Sequence, residues 1–247
     1  MNSAGRTDPD WYRQSFGELY ERVYVHRTVL AARHEIEELS RWAPLRPGDT
    51  VLDVGCGNGR HMAAMLAMGC CVTGCDLSAD LIAVTAERPG LRNRVFRADM
   101  RALPVHRGFG RVVNLFTSFG YFQDDAENWQ AFRNMADALA VGGVLILDTM
   151  NAGRVRRTLK PETVTEDDEY RIFERRWLRE PRVIKWIDVE RKTDSCRWEF
   201  MEDVRLLEPV EIVELARAAG FTSVTLHGGF SGEPFFRDSE RMILRAQ

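Results

Sequence analysis

The sequence predicts an α/β fold with a doubly wound, mostly parallel seven-stranded sheet, an N-terminal helical extension and an inserted small antiparallel sheet. Apolar runs alternate with helical segments after residue 45, and this order requires crossover connections between parallel strands. Between about residues 170 and 208, three consecutive segments alternate apolar and charged residues, which is typical of antiparallel strands with one covered face. We therefore expect one domain with a lid.

The order of elements divides this domain into four parts. Residues 1–44 form a helical cap, because apolar residues recur at helical spacing over residues 13–42 and prolines follow. Residues 45–152 form a core whose helix over residues 125–140 ends at Gly142 and Gly143. Residues 153–208 form the inserted lid, and residues 209–247 return to the core with one helix and two strands.

A glycine-rich turn follows the first apolar run, in the segment VLDVGCGNGR at residues 51–60. Asp53, Gly55, Gly57 and Gly59 form the pattern D-x-G-x-G-x-G, in which residues without a Cβ let a ligand lie against the main chain. Asp76 ends the next apolar run, where an acid accepts hydrogen bonds from ribose hydroxyls. Together these features predict a site for a nucleoside-containing cofactor.

Two cofactors share this kind of pattern, and the spacing distinguishes them. A dinucleotide fingerprint reads G-x-G-x-x-G with an acid about 20 residues later. Here Gly59 follows Gly57 by two residues, and Arg60 stands where that fingerprint has glycine. Asp53 also repels a diphosphate and attracts an ammonium group. The pattern favours S-adenosylmethionine, with an NAD-dependent oxidoreductase as the less favoured alternative.

These segments, together with RADMRALP at residues 97–104, resemble class I S-adenosylmethionine-dependent methyltransferases over roughly residues 45–150. The resemblance implies a Rossmann-like fold and in-line methyl transfer to a nitrogen or oxygen of a small molecule, giving S-adenosylhomocysteine. It implies that Asp99 binds the adenine amino group and that the backbone at Met100 meets the ring. The expected cofactor-binding residues are Asp53, Gly55, Cys56, Gly57, Gly59, Arg60, Asp76, Leu77, Asp99, Met100, Asn114 and Phe116.

The acceptor side is expected at the turn SFGYF, which follows the fourth strand at the carboxyl edge of the sheet. The expected substrate-binding residues are Thr117, Ser118, Tyr121 and, from the helical cap, Tyr24. No residue is a clear general base, and the candidates are Tyr121, His227 and His26.

Two features of the sequence bear on the atom that is methylated. The turn SFGYF and the inserted sheet are similar to those of methyltransferases acting on amino sugars and other small amines, which favours nitrogen. The sequence NLFT at residues 114–117 departs from the N-P-P-Y-like motif of relatives that methylate planar bases or amides.

The composition limits the kinds of partner that we expect for this chain. A net charge of −3 offers no broad basic surface for nucleic acid. No signal peptide and no run of about 18 apolar residues is present, so we expect a cytoplasmic chain without membrane contact. The cysteines lack paired metal-site spacing, so we expect no metal and no disulfide. A homodimer through the inserted sheet and a catalytically silent cofactor-binding subunit remain open alternatives.

Overall fold

The computed structural model describes residues 8–15, 17, 19–25 and 27–247. Its strands are β1 (Thr50–Val54), β2 (Cys71–Asp76), β3 (Val95–Arg97), β4 (Phe109–Asn114), β5 (Leu139–Met150), β6 (Glu162–Glu166), β7 (Tyr170–Arg179), β8 (Arg182–Arg191), β9 (Arg197–Arg205), β10 (Val224–His227) and β11 (Arg241–Ala246). The main sheet has the order β10-β11-β5-β4-β1-β2-β3, and β6-β7-β8-β9 form a second sheet.

The main sheet is parallel except at β11, which runs antiparallel to both β5 and β10. Its central strands are continuous apolar runs because helices cover both faces. Leu52, Val112 and Ile146 are fully buried there. The predicted fold class, including the helical extension and the inserted antiparallel sheet, is confirmed.

The helices are α1 (Tyr20–Val23), α2 (Val29–Trp42), α3 (Arg60–Ala67), α4 (Ala79–Glu87), α5 (Asp125–Asp137), α6 (Ala152–Thr158) and α7 (Pro209–Ala218). A side chain caps the start of α2, α4, α5 and α6. The hydroxyl of Ser78 accepts a hydrogen bond from the amide of Leu81 at 3.2 Å and begins α4. The long helical segment expected over residues 13–42 is interrupted, because the 14-residue helix α2 begins only at Val29.

The prediction that Gly142 and Gly143 end a helix was wrong. Helix α5 ends at Asp137, and both glycines lie inside β5. The register between β4 and β5 shifts in this region, and Gly142 has a φ of 75°. A Cβ on Gly143 would lie 2.9 Å from the carbonyl oxygen of Ala140. These glycines therefore permit an irregular strand where a helix stop was expected.

The inserted sheet has four strands, one more than the sequence predicted, because β6 is a short and mostly exposed edge strand. The sheet is anchored on the SFGYF turn. The buried guanidinium of Arg182 donates hydrogen bonds to the carbonyl oxygens of Tyr121 at 3.2 Å and Phe122 at 3.0 Å. The amide of Arg205 donates to the carbonyl oxygen of Gly120 at 2.8 Å. The lid is thereby fixed over the carboxyl edge of the main sheet.

None of the helices in the described part of the chain combines the length and the apolar character needed to cross a membrane.

Candidate functional site

The glycine turn after β1 adopts the left-handed backbone that its sequence predicts. Gly55, Gly57 and Gly59 have φ angles of 72°, 56° and 73°. A Cβ on Gly55 would lie 2.8 Å from the Cβ of Ser118, and one on Gly59 would lie 2.5 Å from Thr85 Cγ2. Both the conformation and the space therefore require glycine at these two positions.

Asp76 holds this turn from the end of β2. Its Oδ2 accepts a hydrogen bond from the amide of Gly57 at 2.9 Å, and its Oδ1 accepts one from the amide of Ser78 at 2.9 Å. Burial raises the pKa of Asp76, and these backbone donors act against that rise. A carboxylate has about four acceptor positions, and the backbone of Leu77 is a third donor, so capacity remains for a ribose hydroxyl.

Asp53 lies under the turn and is 2% exposed. Its Oδ2 is buried and has no hydrogen-bond partner among the described residues. Burial, followed by the nearby charge of Asp76, raises the pKa of Asp53 to about 7, although Arg60 acts in the opposite direction. A buried carboxylate without a partner is costly, and a cationic group close to the turn would lower that cost.

A cleft of about 870 Å³, counting its open mouth, lies above the turn and is named here the cofactor cleft. The predicted residues that line it are Gly55, Cys56, Gly57, Arg60, Asp76, Leu77, Asp99, Met100, Phe116, Ser118 and Tyr121. Ser118 and Tyr121 were predicted for the substrate. Asp53, Gly59 and Asn114 do not line the cleft, and Asn114 is buried with its Nδ2 donating to the carbonyl oxygen of Val54 at 2.8 Å.

Asp99 has a protein partner in this structure. Its Oδ1 accepts a hydrogen bond from the amide of Arg101 at 2.9 Å, and its Oδ2 accepts one from the guanidinium of Arg101 at 2.6 Å. Burial acts to raise the pKa of Asp99, but the hydrogen bonds and charge of Arg101 outweigh it and lower the pKa. The role of Asp99 toward an adenine ring stays a prediction.

Glu35 of α2 is a site residue that the sequence reading missed. Its Oε2 accepts a hydrogen bond from Arg60 Nη1 at 2.9 Å and lies 2.7 Å from His61 Nε2. Burial is the largest influence on His61 and lowers its pKa to about 4. Arg60 and His61 also contact the ring of Phe116. The helical cap thus reaches the wall of the cofactor cleft through one carboxylate.

The depressed pKa of His61 predicts a pH-dependent stability. Between its ordinary pKa of 6.5 and its folded value of about 4, the unfolded chain binds more protons than the folded chain. The free energy of unfolding therefore falls as the pH drops through this window, by up to about 3 kcal/mol from this group. In a His61→Gln variant the fall between pH 6.5 and 4 is expected to be shallower, as measured by urea unfolding.

His34 provides the control for this experiment, because it is an exposed histidine on α2, the helix that also carries Glu35. His34→Gln should retain the pH dependence of the wild type. Equal pH slopes in wild type and His61→Gln would contradict the assignment of a neutral, buried His61.

A second cleft of about 1330 Å³, named here the lid cleft, lies between the inserted sheet and the carboxyl edge of the main sheet. Tyr24, Thr117 and Tyr121 line it, as the substrate prediction requires. Arg27, Phe116 and Tyr121 line both clefts, so the two clefts meet at these residues.

The junction is built on an unusual backbone. Phe116 and Thr117 have φ angles of 60° and 62°, a conformation that costs energy in residues with a side chain. Asp148, at the end of β5, stabilises it by accepting the amide of Phe116 on Oδ2 at 2.7 Å and the amide of Thr117 on its carbonyl at 3.1 Å. Arg241 of β11 pairs with the carboxylate of Asp148 and donates to Thr117 Oγ1 at 3.0 Å.

The candidate bases fall in three different places. Tyr121 lines both clefts. His227 lines neither cleft, since its Nδ1 lies 2.8 Å from the carbonyl oxygen of Gly232 and its ring stacks on Trp42. His26 lies outside the described residues. The structure therefore does not support His227 as a base.

Comparison with known proteins agrees with this geometry. A family model for a methyltransferase domain matches residues 51–143, which include the glycine turn, Asp76 and Asp99. Residues 51–143 are therefore a methyltransferase domain.

Similar proteins of known name extend the comparison for this chain. It is 29% identical over 140 residues to the dTDP-3-amino-3,4,6-trideoxy-alpha-D-glucopyranose N,N-dimethyltransferase of Streptomyces venezuelae, covering 56% of this chain and 58% of the relative. It is 25% identical over 259 residues to the cypemycin N-terminal methyltransferase of Streptomyces sp., covering 96% and 98%. The chain spans about half to two thirds of the length of the curated relatives that it matches over 139–159 residues.

Among solved structures, the chain shares its fold with the sugar N-methyltransferase KedS8 of Streptoalloteichus sp. The TM-score is 0.71 at 24% identity, and the alignment covers 100% of this chain and 98% of that one.

The cofactor of the family, S-adenosylmethionine, fits the residues present. The cofactor cleft offers a carboxylate for the ribose in Asp76, and the turn beside it leaves no room for a Cβ at Gly55. The buried, unpartnered Oδ2 of Asp53 lies under the same turn and suits the cationic methionine end of the molecule. The less favoured NAD-dependent alternative is not supported, since the family match covers the segment on which it rested.

Proposed function

We propose that this methyltransferase transfers the methyl group of S-adenosylmethionine to the nitrogen of a small-molecule amine. The observation that carries the proposal is the meeting of the cofactor cleft with the lid cleft at Arg27, Phe116 and Tyr121. S-adenosylmethionine, when bound, supplies an electrophilic methyl group for in-line attack by the amine. The residues of the chain position the two molecules and exclude water, which supplies most of what such a displacement requires.

The charges at the junction favour a neutral amine. The guanidinium carbons of Arg27 and Arg241 lie 5.3 and 4.9 Å from the centre of the Phe116 ring, and both arginines line the lid cleft. Nearby positive charges disfavour an ammonium ion and so lower the pKa of an amine placed beside them. An unprotonated amine attacks without a general base, which agrees with the lack of a histidine among the described residues that line the lid cleft.

Nitrogen is preferred over oxygen for two reasons. A hydroxyl nucleophile needs a proton acceptor, and Glu202, which lines the lid cleft, already accepts a hydrogen bond from the phenol of Tyr24. Two of the proteins compared above are named as N-methyltransferases, the amino-sugar N,N-dimethyltransferase of Streptomyces venezuelae and the sugar N-methyltransferase KedS8. We also propose that the acceptor is a free small molecule. We further propose that two copies of the chain form a homodimer through the inserted sheet.

The test is transfer of a labelled methyl group from S-adenosylmethionine to matched amines and alcohols, including an amino sugar and its parent sugar. We expect S-adenosylhomocysteine release and N-methyl product, identified by mass spectrometry, only with the amines. Transfer only to hydroxyls would contradict the choice of nitrogen, and labelling of RNA would contradict a small-molecule acceptor. Cofactor binding without transfer to any acceptor would favour the catalytically silent subunit.

A further inference from the structure

We propose that the lid cleft binds an anionic group of the acceptor, a carboxylate or a phosphate, through Lys160 and Arg176. The inference rests on the proposed function, because it names the class of amine that this same site selects.

The inserted sheet carries a row of charged side chains across its covered face. Arg176 of β7 is opposite Lys185 of β8, and Lys185 is opposite Glu202 of β9. Directly opposed residues in antiparallel strands point to the same face, so the three side chains lie side by side. All three line the lid cleft, and their side chains are only 23%, 13% and 14% exposed.

The neighbouring positions on this face show that packing does not require the charges. Leu178, Val183 and Val204 form the row on one side, and their side chains join the main hydrophobic core. Ile187 and Phe200 are opposed in the next row on the other side. Two like charges directly opposed on a sheet are destabilising, and partly buried charges are costly. The third member of the row of Ile187 and Phe200 is Glu174, a carboxylate that pairs with Arg176. Two basic residues that are directly opposed and face a cleft therefore indicate a site for an anion.

The acidic members of this cluster already have partners. Glu174 accepts hydrogen bonds from Thr163 Oγ1 at 2.8 Å and from Arg176 at 2.5 Å, and it lies 3.6 Å from Lys185 Nζ. Glu202 pairs with Lys185 at 2.9 Å and accepts the phenol of Tyr24. Lys185 Nζ has a third acceptor in the phenol oxygen of Tyr24 at 2.5 Å, so its three donors are used. The guanidinium of Arg176 has five N–H donors and bonds to Glu174 and to Thr163 Oγ1 at 2.9 Å, which leaves it with donor capacity for a further oxygen.

Lys160 adds a positive charge beside this row. It lines the lid cleft and forms no ion pair with a carboxylate of the described residues. The amide of Arg176 donates to the carbonyl oxygen of Pro161 at 2.7 Å, so the segment that carries Lys160 runs next to Arg176. Lys160 and Arg176 line the lid cleft but not the cofactor cleft, whereas Arg27, Phe116 and Tyr121 line both clefts. The acceptor's anion is therefore held apart from the reacting amine.

The first experiment measures anion binding by calorimetry on the full-length chain saturated with S-adenosylhomocysteine. Inorganic pyrophosphate and citrate are the probes, one for phosphate and one for carboxylate. We expect at least one to bind, and its Kd to rise about tenfold in Lys160→Met and in Arg176→Met, the loss of one charge-assisted hydrogen bond. Lys192→Met is the matched control, because Lys192 lies on the lid and pairs with Glu166 but does not line the cleft.

The second experiment compares acceptors that differ only in an acidic group, such as glucosamine and glucosamine 6-phosphate, or an amino acid and its amide. The acidic member should have a KM about tenfold lower, and the difference should disappear in Lys160→Met. Equal KM values for acidic and neutral amines in the wild type would overturn the inference while leaving N-methylation intact.

The two proposals also fail in different ways. If no amine is methylated, the proposed function fails, and the calorimetric comparison of Lys160→Met with Lys192→Met still tests the cleft. Equal effects of these two variants on the Kd of both probes, or binding of neither probe to the wild type, would overturn the inference.

Discussion

Replacement of Asp76 by alanine is expected to raise the Kd of both S-adenosylmethionine and S-adenosylhomocysteine about 100-fold. A charge-assisted hydrogen bond from a ribose hydroxyl contributes about 1.5–3 kcal/mol, and the upper end of this range corresponds to a factor of this size. The substitution also frees the amide of Gly57, whose 2.9 Å bond to Asp76 holds the glycine turn. Calorimetric titration of the purified chain measures the change directly.

Asp80→Ala is the matched control, because Asp80 is an exposed acid four residues after Asp76, in the first turn of α4. It should bind both sulfur ligands as the wild type does. Asp76→Asn keeps one acceptor oxygen and should give an intermediate Kd. Unchanged affinity in Asp76→Ala would contradict the ribose contact of Asp76. Binding of NADH in place of the sulfur ligands would mean that the glycine turn binds a dinucleotide.

Gly59→Ala is expected to lower the free energy of unfolding by about 2–5 kcal/mol. The left-handed backbone at this position costs a residue with a Cβ about 1–2 kcal/mol. The added Cβ would also lie 2.5 Å from Thr85 Cγ2, and overpacking of this kind costs about 1–3 kcal/mol. Thr85 is fully buried and donates to the carbonyl oxygen of Gly57 at 2.8 Å, so its displacement also disturbs the turn.

The control for this variant separates backbone strain from crowding. Gly142 has nearly the same backbone, with a φ of 75°, but a Cβ there would have no atom within 4 Å. Gly142→Ala should therefore lower the free energy of unfolding only by the contribution of backbone strain, about 1–2 kcal/mol. Urea unfolding of the two variants under the same conditions gives the comparison, and equal losses would rule out the contact with Thr85 as a cause.

The cofactor-binding turn and its acidic residues could be predicted from the sequence because the patterns that indicate them are local. The three glycines of the turn lie within five residues, and Asp76 and Asp99 each end or follow one apolar run. A glycine spacing directly constrains the backbone at that place, so no tertiary contact is needed to interpret it. The same glycine rule failed at Gly142, where the partner strand β4 determines the conformation and the sequence contains no sign of that pairing.

The charged row of the lid cleft could not be predicted from the sequence, because its residues meet only through strand register. Arg176, Lys185 and Glu202 come from three strands, and charged residues occur on both faces of these strands. A pattern with charges on both faces does not say which face is covered. Glu35 is likewise 25 residues from Arg60, and its role depends on how α2 packs on α3. For the junction between the two clefts, the sequence contained one indication, the acid Asp148 near the end of a long apolar run.

Arg241 determines when, during synthesis of the chain, the junction between the clefts can be completed. Its partners, Thr117 and Asp148, are made 124 and 93 residues earlier, and β11 is inserted between β5 and β10 in the main sheet. A nascent chain that ends before residue 241 contains the whole glycine turn but lacks the cation that pairs with Asp148. On the ribosome the cofactor turn is therefore translated long before the strained Phe116–Thr117 backbone gains its last support, and the junction is completed only after β11 has been translated.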